Sequence, residues 1–199
     1  MFSAFEFFSV CSQQSFLVGY NLAMKTALVI IAQQGYQDHE LDGTLRHLKN
    51  QGFAVTLASA KAAECTGKFG GKQQATLALK DVDVSLYDRI AFIGGPGAVR
   101  FADDPQAHRI ARETAAAGRI LGAICIAPTI LAKAGVLLGK RATVWDSGGE
   151  QVRMLQDGGA VYSGEDVTVD DRLVTANGPQ AADLFGQRFA TLSDDRSRV

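Results

Sequence analysis

Short, continuous apolar runs alternate along the chain with stretches in which apolar residues recur every three or four positions. Continuous runs are typical of strands buried on both faces, whereas the wider spacing predicts amphipathic helices. The first run, residues 26–32, is followed by leucines at helical spacing within 41–48 and by a second run at 53–59. Asp38 is suited to cap the start of the intervening helix. The segment therefore predicts a βαβ unit, the building block of a parallel sheet.

The alternation continues to about residue 192, which extends the prediction to one complete α/β domain. Strands alternating with helices indicate a mostly parallel central sheet covered by helices on both faces. In such sheets, ligands bind beyond the carboxyl ends of the strands. Further strands are predicted at 89–93, 120–125, 141–144, 161–162, 167–169 and 173–175, with a short strand or hairpin at 75–79. Further helices are predicted at 106–117, 126–134, 150–156 and 178–192.

Composition and charge narrow the classes of function more than they narrow the fold. The chain has 199 residues and a net charge of −1, so electrostatics favours neither nucleic acid nor a membrane surface as a partner. Its three cysteines are widely spaced and match no metal-ligand pattern. We therefore expect a reducing, cytoplasmic setting, with neither a metal ion nor a cofactor.

The two ends of the chain differ from the domain predicted at 24–192. Residues 1–23 are rich in phenylalanine, contain no Lys or Arg, and are interrupted by polar residues. This composition matches neither a secretory signal, which begins with basic residues, nor a membrane-spanning helix. We expect 1–23 to be an N-terminal extension, disordered or non-native, and 193–199 to be a polar tail.

Cys125 lies where the apolar run at 120–125 gives way to helical spacing at 126–134, and Pro128 fits the first turn of that helix. A side chain at such a strand-to-helix corner points over the carboxyl edge of the sheet, toward free backbone amides. The helix dipole favours a thiolate there, so the position predicts a nucleophile with a lowered pKa. The alternative is a cysteine that only fills space in the core.

A glycine-rich turn at 94–97 follows the run at 89–93, but it matches no nucleotide-binding pattern. This turn, residues 36–41 (YQDHEL) and residues 122–128 (GAICIAP) together resemble, in order and spacing, the ThiJ/PfpI superfamily, relatives of the class I glutamine amidotransferases. The resemblance covers about residues 24–192. It implies a flavodoxin-like sandwich, which agrees with the elements predicted above, and a homodimer.

The resemblance also implies roles for particular residues. Cys125 would be the nucleophile, Glu40 the carboxyl group hydrogen-bonded to its sulfur, and the amides of Gly95 and Ile126 the oxyanion hole. Gly94 would belong to the same pocket. From the residues alone, Glu40 could equally be a first-turn acid that stabilises its helix.

The chain departs from the family pattern where a histidine base is expected. Protease-like members have a histidine directly after the cysteine, where this chain has Ile126, and their partner acid falls on Val99. Where the family has an earlier acidic residue, this chain has Gln37. In another branch a histidine stands at about the position of Trp145, beside Asp146. No histidine therefore matches the motif, and Trp145 and Asp146 stay as candidate pocket residues.

Three functions remain open at this point. The first is a cofactor-independent cysteine enzyme, of glyoxalase or deglycase type, that acts on small reactive carbonyl compounds or their adducts, with Glu40 as proton shuttle. The second is a non-catalytic redox sensor or stress protein whose Cys125 is oxidised to a sulfinic acid. A cysteine peptidase or amidase is third, because amide cleavage needs an imidazolium to protonate the leaving amine. We assign no such role to His39, His47 or His108.

Overall fold

The computed structural model describes residues 24–193 as a layered α/β domain. Its strands are β1 (Thr26–Ile30), β2 (Gln34–Tyr36), β3 (Ala54–Ser59), β4 (Glu64–Gly67), β5 (Lys72–Gln74), β6 (Leu77–Ala78), β7 (Arg89–Phe92), β8 (Ile120–Ile124), β9 (Arg141–Ala142), β10 (Val161–Tyr162), β11 (Val167–Asp170) and β12 (Leu173–Ala176). Its α-helices are α1 (Asp38–Asn50), α2 (Pro105–Ala116), α3 (Pro128–Lys133), α4 (Glu150–Asp157) and α5 (Ala182–Thr191).

Within residues 24–193, seven strands form the central sheet in the order β11-β12-β8-β7-β1-β3-β6. Neighbouring strands run parallel except for β11 and β12, which form an antiparallel edge. This arrangement confirms the predicted mostly parallel sheet. The register pairs Ile30 with Phe92, and Phe92 with Ala123. The strands β1, β7 and β8 therefore end side by side, and the residues that follow them meet at one edge.

Strand β8 shows how helices cover the sheet on both faces. All of its residues are buried, and it contacts α2 and α3 as well as α5. Gly122 approaches α5 so closely that a Cβ atom there would lie 2.8 Å from the ring of Phe189. Helix α1 packs along α5, and α2 packs along α3. Because successive strand residues point to opposite faces, these two helix pairs form the outer layers of the predicted flavodoxin-like sandwich.

The connection between β1 and α1 differs from the prediction. Strand β2 leaves the central sheet and joins the hairpin β4–β5 in a small separate sheet. Gln37 precedes α1 and no side chain caps the helix, so the prediction that Asp38 is its N-cap is wrong. The Asp38 carboxylate instead accepts hydrogen bonds from the amides of Phe69 and Gly71, each at 2.9 Å. The Asp38 carboxylate therefore binds the amides of a turn that is distant in sequence, instead of the free amides at the start of α1.

The strand predicted at 141–144 is shorter and lies outside the central sheet. Arg141–Ala142 pairs in parallel with Val161–Tyr162 in a two-stranded ladder. The segment is attached to the central sheet through side chains: the amide of Arg141 donates to Asp170 and that of Thr143 to Thr175 Oγ1. A hydrophobic pattern predicts that a run is buried, but it does not identify the strand with which the run pairs.

Residues 1–23 and 194–199 lie outside the described residues, so the extension and the polar tail remain predictions. Across the described range, 24–193, none of the helices combines the length and apolar character that crossing a membrane requires.

Candidate active site

Three segments that are distant in sequence meet at the carboxyl edge of the sheet. The first turn of α1 brings Glu40, the turn after β7 brings Gly94, and the residue after β8 is Cys125. The amide of Gly94 donates to Glu40 Oε2 at 3.0 Å, and the carbonyl of Gly94 accepts from the amide of Gln37 at 3.0 Å. The structure therefore brings together the residues that the sequence pattern singles out, around one carboxyl group and one thiol.

Cys125 adopts a backbone conformation that is unusual for a residue with a side chain. Its φ is 63°, in the left-handed region that favours glycine. The surrounding structure holds it there: its amide donates to Ala176 O at 2.9 Å, and its carbonyl accepts from the amide of Trp145 at 2.9 Å. Pro128 lies in the first turn of α3, as predicted, although the helix begins at this residue rather than at 126. A strained corner of this kind turns a side chain out over the sheet edge, and such strain is common at functional sites.

The amides of Gly95 and Ile126 both donate hydrogen bonds to the Cys125 sulfur. Gly95 is at φ 103°, a conformation that side-chain-bearing residues rarely adopt, so glycine is what allows its amide to face the thiol. Two amides pointing at one position can stabilise negative charge on the sulfur or on an oxygen that forms beside it. This geometry is consistent with the pair of amides that the resemblance implies.

Glu40 is fully buried, with none of its surface exposed. One carboxyl oxygen accepts from the amide of Gly94, and the carboxyl group also hydrogen-bonds with the Cys125 thiol. No described residue donates to the second oxygen, Oε1. A buried carboxylate with so few donors is costly to ionise.

The environment shifts both members of this pair toward their protonated forms. Burial raises the pKa of Glu40 to about 8, although its hydrogen bonds to Cys125 and Gly94 and the charge of Lys68 act in the opposite direction. Burial, and then the charge of Glu40, raise the pKa of the Cys125 thiol to about 12, against the two amides that lower it. The predicted lowering of the thiol pKa is therefore wrong, because loss of hydration outweighs the favourable amides.

The two shifts together define the charge of the pair. Below about pH 8 both Glu40 and Cys125 hold a proton, and above it the pair carries one negative charge. This negative charge raises the pKa of the Cys125 thiol only while it is on the Glu40 carboxylate. Transfer of the thiol proton to Glu40 leaves a thiolate facing the amides of Gly95 and Ile126. Glu40 is thus suited to take a proton from the sulfur during a reaction.

Gly94 leaves room for this contact. A Cβ atom at this position would lie 2.6 Å from the Cys125 Cβ and 2.8 Å from Glu40 Oε2. Both distances are shorter than van der Waals contact allows. A larger residue would separate the carboxyl group from the thiol, so the glycine is needed for the pairing of Glu40 with Cys125.

A cavity of about 400 Å³ opens over the thiol. Of the sequence candidates, Cys125, Gly95, Ile126 and Trp145 line it, whereas Gly94 lies beneath it, against Glu40. Sequence reasoning did not identify Lys68, Gln151 or Pro179, which reach the cavity from loops and from α4 and carry no motif. The described residues that line the cavity are Gln37, Lys68, Gly95, Pro96, Val99, Cys125, Ile126, Trp145, Gln151 and Pro179.

Asp146 is not among the residues that line the cavity. Its carboxylate accepts hydrogen bonds from the amides of Gly149, Gln151 and Val152, at 2.6, 3.0 and 3.3 Å, around the start of α4. These amides hold the pKa of Asp146 below its usual value, although burial acts in the opposite direction. The contacts are those of a residue that organises a loop and a helix start.

None of the chain's three histidines lines the cavity. His39 packs against the Phe69 ring, His47 pairs with Asp183, and His108 bonds to a backbone carbonyl. Among the residues that the structure describes, no group of three or more His, Cys, Asp or Glu side chains is arranged to hold a metal ion. The groups described around the sulfur are the Cys125 thiol, the Glu40 carboxyl group and the amides of Gly95 and Ile126.

The chain matches known proteins over nearly the whole of the described domain. The DJ-1/PfpI family matches residues 25–192. A glutathione-independent glyoxalase of Caenorhabditis elegans, DJR-1.2, is 28% identical over 84% of this chain and 88% of its own length. The deglycase TK1284 of Thermococcus kodakarensis is 31% identical over 79% of this chain and 92% of its own. An uncharacterised protein of Methanocaldococcus jannaschii, MJ0967, is 31% identical over 89% of this chain and 87% of its own length.

Solved structures show the same fold. A ThiJ/PfpI domain protein from Brachyspira murdochii superposes with a TM-score of 0.79 at 26% identity, covering 83% of this chain and 94% of that one. Drosophila melanogaster DJ-1beta superposes with a TM-score of 0.73 at 28% identity, covering 83% of this chain and 88% of that one. These similarities confirm the flavodoxin-like sandwich.

Proposed function

Because the chain belongs to the DJ-1/PfpI family, we propose that it is a cofactor-independent cysteine enzyme that converts small 2-oxoaldehydes to 2-hydroxy acids. The observation that carries the proposal is the contact between the buried Glu40 carboxyl group and the Cys125 thiol, with two amides directed at the same sulfur. Relatives that are named glyoxalase and deglycase add support to the proposal.

In the first step, which starts from the ionised carboxylate of Glu40, the Cys125 sulfur adds to the aldehyde carbon and its proton moves to Glu40. The oxygen of the former aldehyde gains negative charge as the S–C bond forms, and the amides of Gly95 and Ile126 stabilise that charge. Protonation of this oxygen gives a hemithioacetal. Glu40, with a pKa near 8, both accepts and returns a proton readily close to neutral pH.

In the second step, the hydrogen on the carbon bonded to sulfur leaves as a proton and is delivered to the neighbouring carbonyl carbon. The first carbon is thereby oxidised to a thioester and the second reduced to an alcohol, so no external oxidant or reductant is needed. Water then hydrolyses the thioester, which releases the 2-hydroxy acid and restores the thiol. Overall, one aldehyde and one water give one acid.

The cavity disfavours the peptidase alternative. Peptide cleavage requires a group that protonates the leaving amine, and histidine usually supplies it. The positions at which protease-like relatives carry their histidine and acid are Ile126 and Val99, and both line the cavity as apolar side chains. The raised pKa of Cys125 also gives no support to a sensor that relies on a thiolate at rest.

Lactate formation from methylglyoxal by the purified protein tests the proposal. We expect turnover by the wild type and a loss of at least about a thousandfold in Cys125→Ser, because serine is a much weaker nucleophile. The matched control is Cys65→Ser, a buried cysteine in β4 that lies outside the cavity and should leave turnover unchanged. Turnover that survives in Cys125→Ser, or is absent from the wild type, would contradict the proposal.

A further inference from the structure

Lys68 is the one charged side chain among the described residues that line the cavity. No described carboxylate forms an ion pair with its ammonium group, which lies 5.3 Å from the centre of the Phe69 ring. Its charge reaches into the site, because it lowers the pKa of the buried Glu40 carboxyl. Lys68 therefore gives the wall of the cavity a positive charge that an anionic group of a ligand can approach.

The position of Lys68 is built into the fold. Its amide donates to Tyr36 O at 2.7 Å, and the flanking turn is fixed by the two hydrogen bonds from Phe69 and Gly71 to Asp38. Both Asp38 oxygens are used by those amides. The turn that carries Lys68 is thus fastened to the start of α1, the helix that carries Glu40.

Two uncharged glutamine side chains, Gln37 and Gln151, also line the cavity. Their Oε1 atoms have almost no exposed surface, and no described residue donates to them. Lys68 is therefore the group of this lining that can distinguish an anionic ligand from a neutral one.

We propose that the cavity selects 2-oxoaldehydes that carry a carboxylate at the end distant from the aldehyde. Lys68 binds the carboxylate of such a substrate. A carboxylate fits better than a phosphate, because one lysine supplies one charge and no described arginine lines the cavity. The proposal rests on the proposed function and names its substrate class.

The reaction balances for such a substrate. With 4,5-dioxopentanoate, addition of Cys125 to the aldehyde, transfer of the proton between the two carbons and hydrolysis give 2-hydroxyglutarate, with water as the other reactant. The aldehyde carbon is oxidised and the ketone carbon is reduced. The distant carboxylate takes no part in bond making and serves only for recognition.

The test compares 4,5-dioxopentanoate with 2-oxopentanal, a neutral 2-oxoaldehyde of the same chain length. In the wild type we expect the ratio of kcat/KM, anionic over neutral, to be about fivefold or more, and to fall as ionic strength rises. Lys68→Gln should bring the ratio close to one. Lys72→Gln, an exposed lysine in β5 that pairs with Glu64, is the matched control and should keep the wild-type ratio.

Gln37→Met is a second variant with a different expected signature. It replaces an uncharged residue of the cavity wall, so any change in kcat/KM should be shared by both substrates and leave their ratio unchanged. A wild-type ratio near one, or a ratio that Lys68→Gln does not alter, would overturn the role of Lys68.

Binding is measured separately from turnover through Trp145, the only tryptophan of the chain, which lines the cavity. Titration with 4-oxopentanoate, which lacks the aldehyde, should change its fluorescence with saturation in the wild type and far more weakly in Lys68→Gln. Titration with 2-pentanone should give no comparable change. Carboxylate-selective binding without turnover of either aldehyde would retain the subsite and reject the proposed function. Turnover of both without carboxylate-selective binding would reject the subsite alone.

Discussion

Glu40 and Arg89 are both charged and almost completely buried, with 0% and 1% of their surfaces exposed, at opposite ends of β7. Arg89 begins the strand, and Glu40 contacts Gly94 just beyond its carboxyl end. The guanidinium of Arg89 donates to the carbonyls of Phe189 and Leu192 and lies over the rings of Phe53 and Phe189. Its charge is therefore well solvated by the protein.

The difference between the two sites lies in how completely each charge is compensated. Arg89 joins the central sheet to the end of α5 through hydrogen bonds to carbonyls that the helix leaves free. The Glu40 carboxyl group has one amide donor, Gly94, and a hydrogen bond with the Cys125 thiol. Burial raises its pKa to about 8. A satisfied buried charge stabilises the fold, whereas an incompletely satisfied one has a shifted pKa that is available for chemistry.

The largest expected effect is on activity in Glu40→Gln. The amide cannot accept the thiol proton, so we expect kcat/KM for methylglyoxal to fall by about a hundredfold to ten-thousandfold. In the wild type, kcat/KM should rise with pH through an apparent pKa near 8 as Glu40 ionises, and this rise should be absent from the variant. Glu113→Gln, an exposed acid of α2 that pairs with Arg109, is the control. An unchanged pH profile in Glu40→Gln would show that another group takes the proton.

The second effect is on stability as a function of pH. The pKa of Glu40 is about 8 in the folded protein and near its ordinary value of 4.5 when unfolded. The folded state therefore holds the proton more tightly, and stability that is complete below the unfolded pKa is lost as pH rises toward 8. We expect Glu40 to lower the free energy of unfolding by about 3 kcal/mol between pH 5 and pH 8.

Urea denaturation of the wild type and Glu40→Gln at both pH values measures this contribution. The free energy of unfolding of the variant, relative to the wild type, should increase from pH 5 to pH 8, since glutamine carries no charge. A difference that is the same at both pH values would mean that Glu40 ionises in the folded state as readily as a solvated carboxyl group.

The third effect tests the other member of the comparison. Arg89→Met keeps an apolar stem but removes the donors to Phe189 and Leu192, so we expect a loss of about 2–3 kcal/mol in the free energy of unfolding. Arg46→Met, an exposed arginine paired with Asp183, should change stability by less than about 1 kcal/mol. Both are measured by urea denaturation. Because guanidinium does not titrate, the Arg89→Met loss should be the same at pH 5 and pH 8, and a strongly pH-dependent loss would contradict this view.

The smallest effect concerns Asp146, which organises the start of α4 beside the cavity. Asp146→Ala should lower the midpoint of thermal unfolding while leaving kcat/KM for methylglyoxal unchanged. The control is Asp104→Ala, which removes the carboxylate that accepts from Gln106 and Ala107 at the start of α2 and should cost about 1 kcal/mol. A large fall in kcat/KM in Asp146→Ala alone would give this residue a part in the chemistry.

Much of the fold is predictable from the sequence because local patterns carry the relevant information. A continuous apolar run such as the one at 120–125 predicts a buried strand, and Pro128 predicts where the next helix begins. Asp104 lies directly before Pro105, and its carboxylate caps the start of α2. Asp38 satisfies the same local rule, yet its carboxylate binds a turn that is some thirty residues distant in sequence.

The sequence by itself determined the alternating α/β order, the strand-to-helix corner at Cys125 and the glycines of the turn after β7. Each depends on conformations that neighbouring residues set, such as the φ of 103° at Gly95. Only the tertiary structure decided that burial raises the pKa of Glu40 and Cys125, and that Lys68, Gln37 and Gln151 face the same cavity. Loss of hydration and convergence of loops depend on which segments pack together, and that information lies in the whole chain rather than in any one stretch.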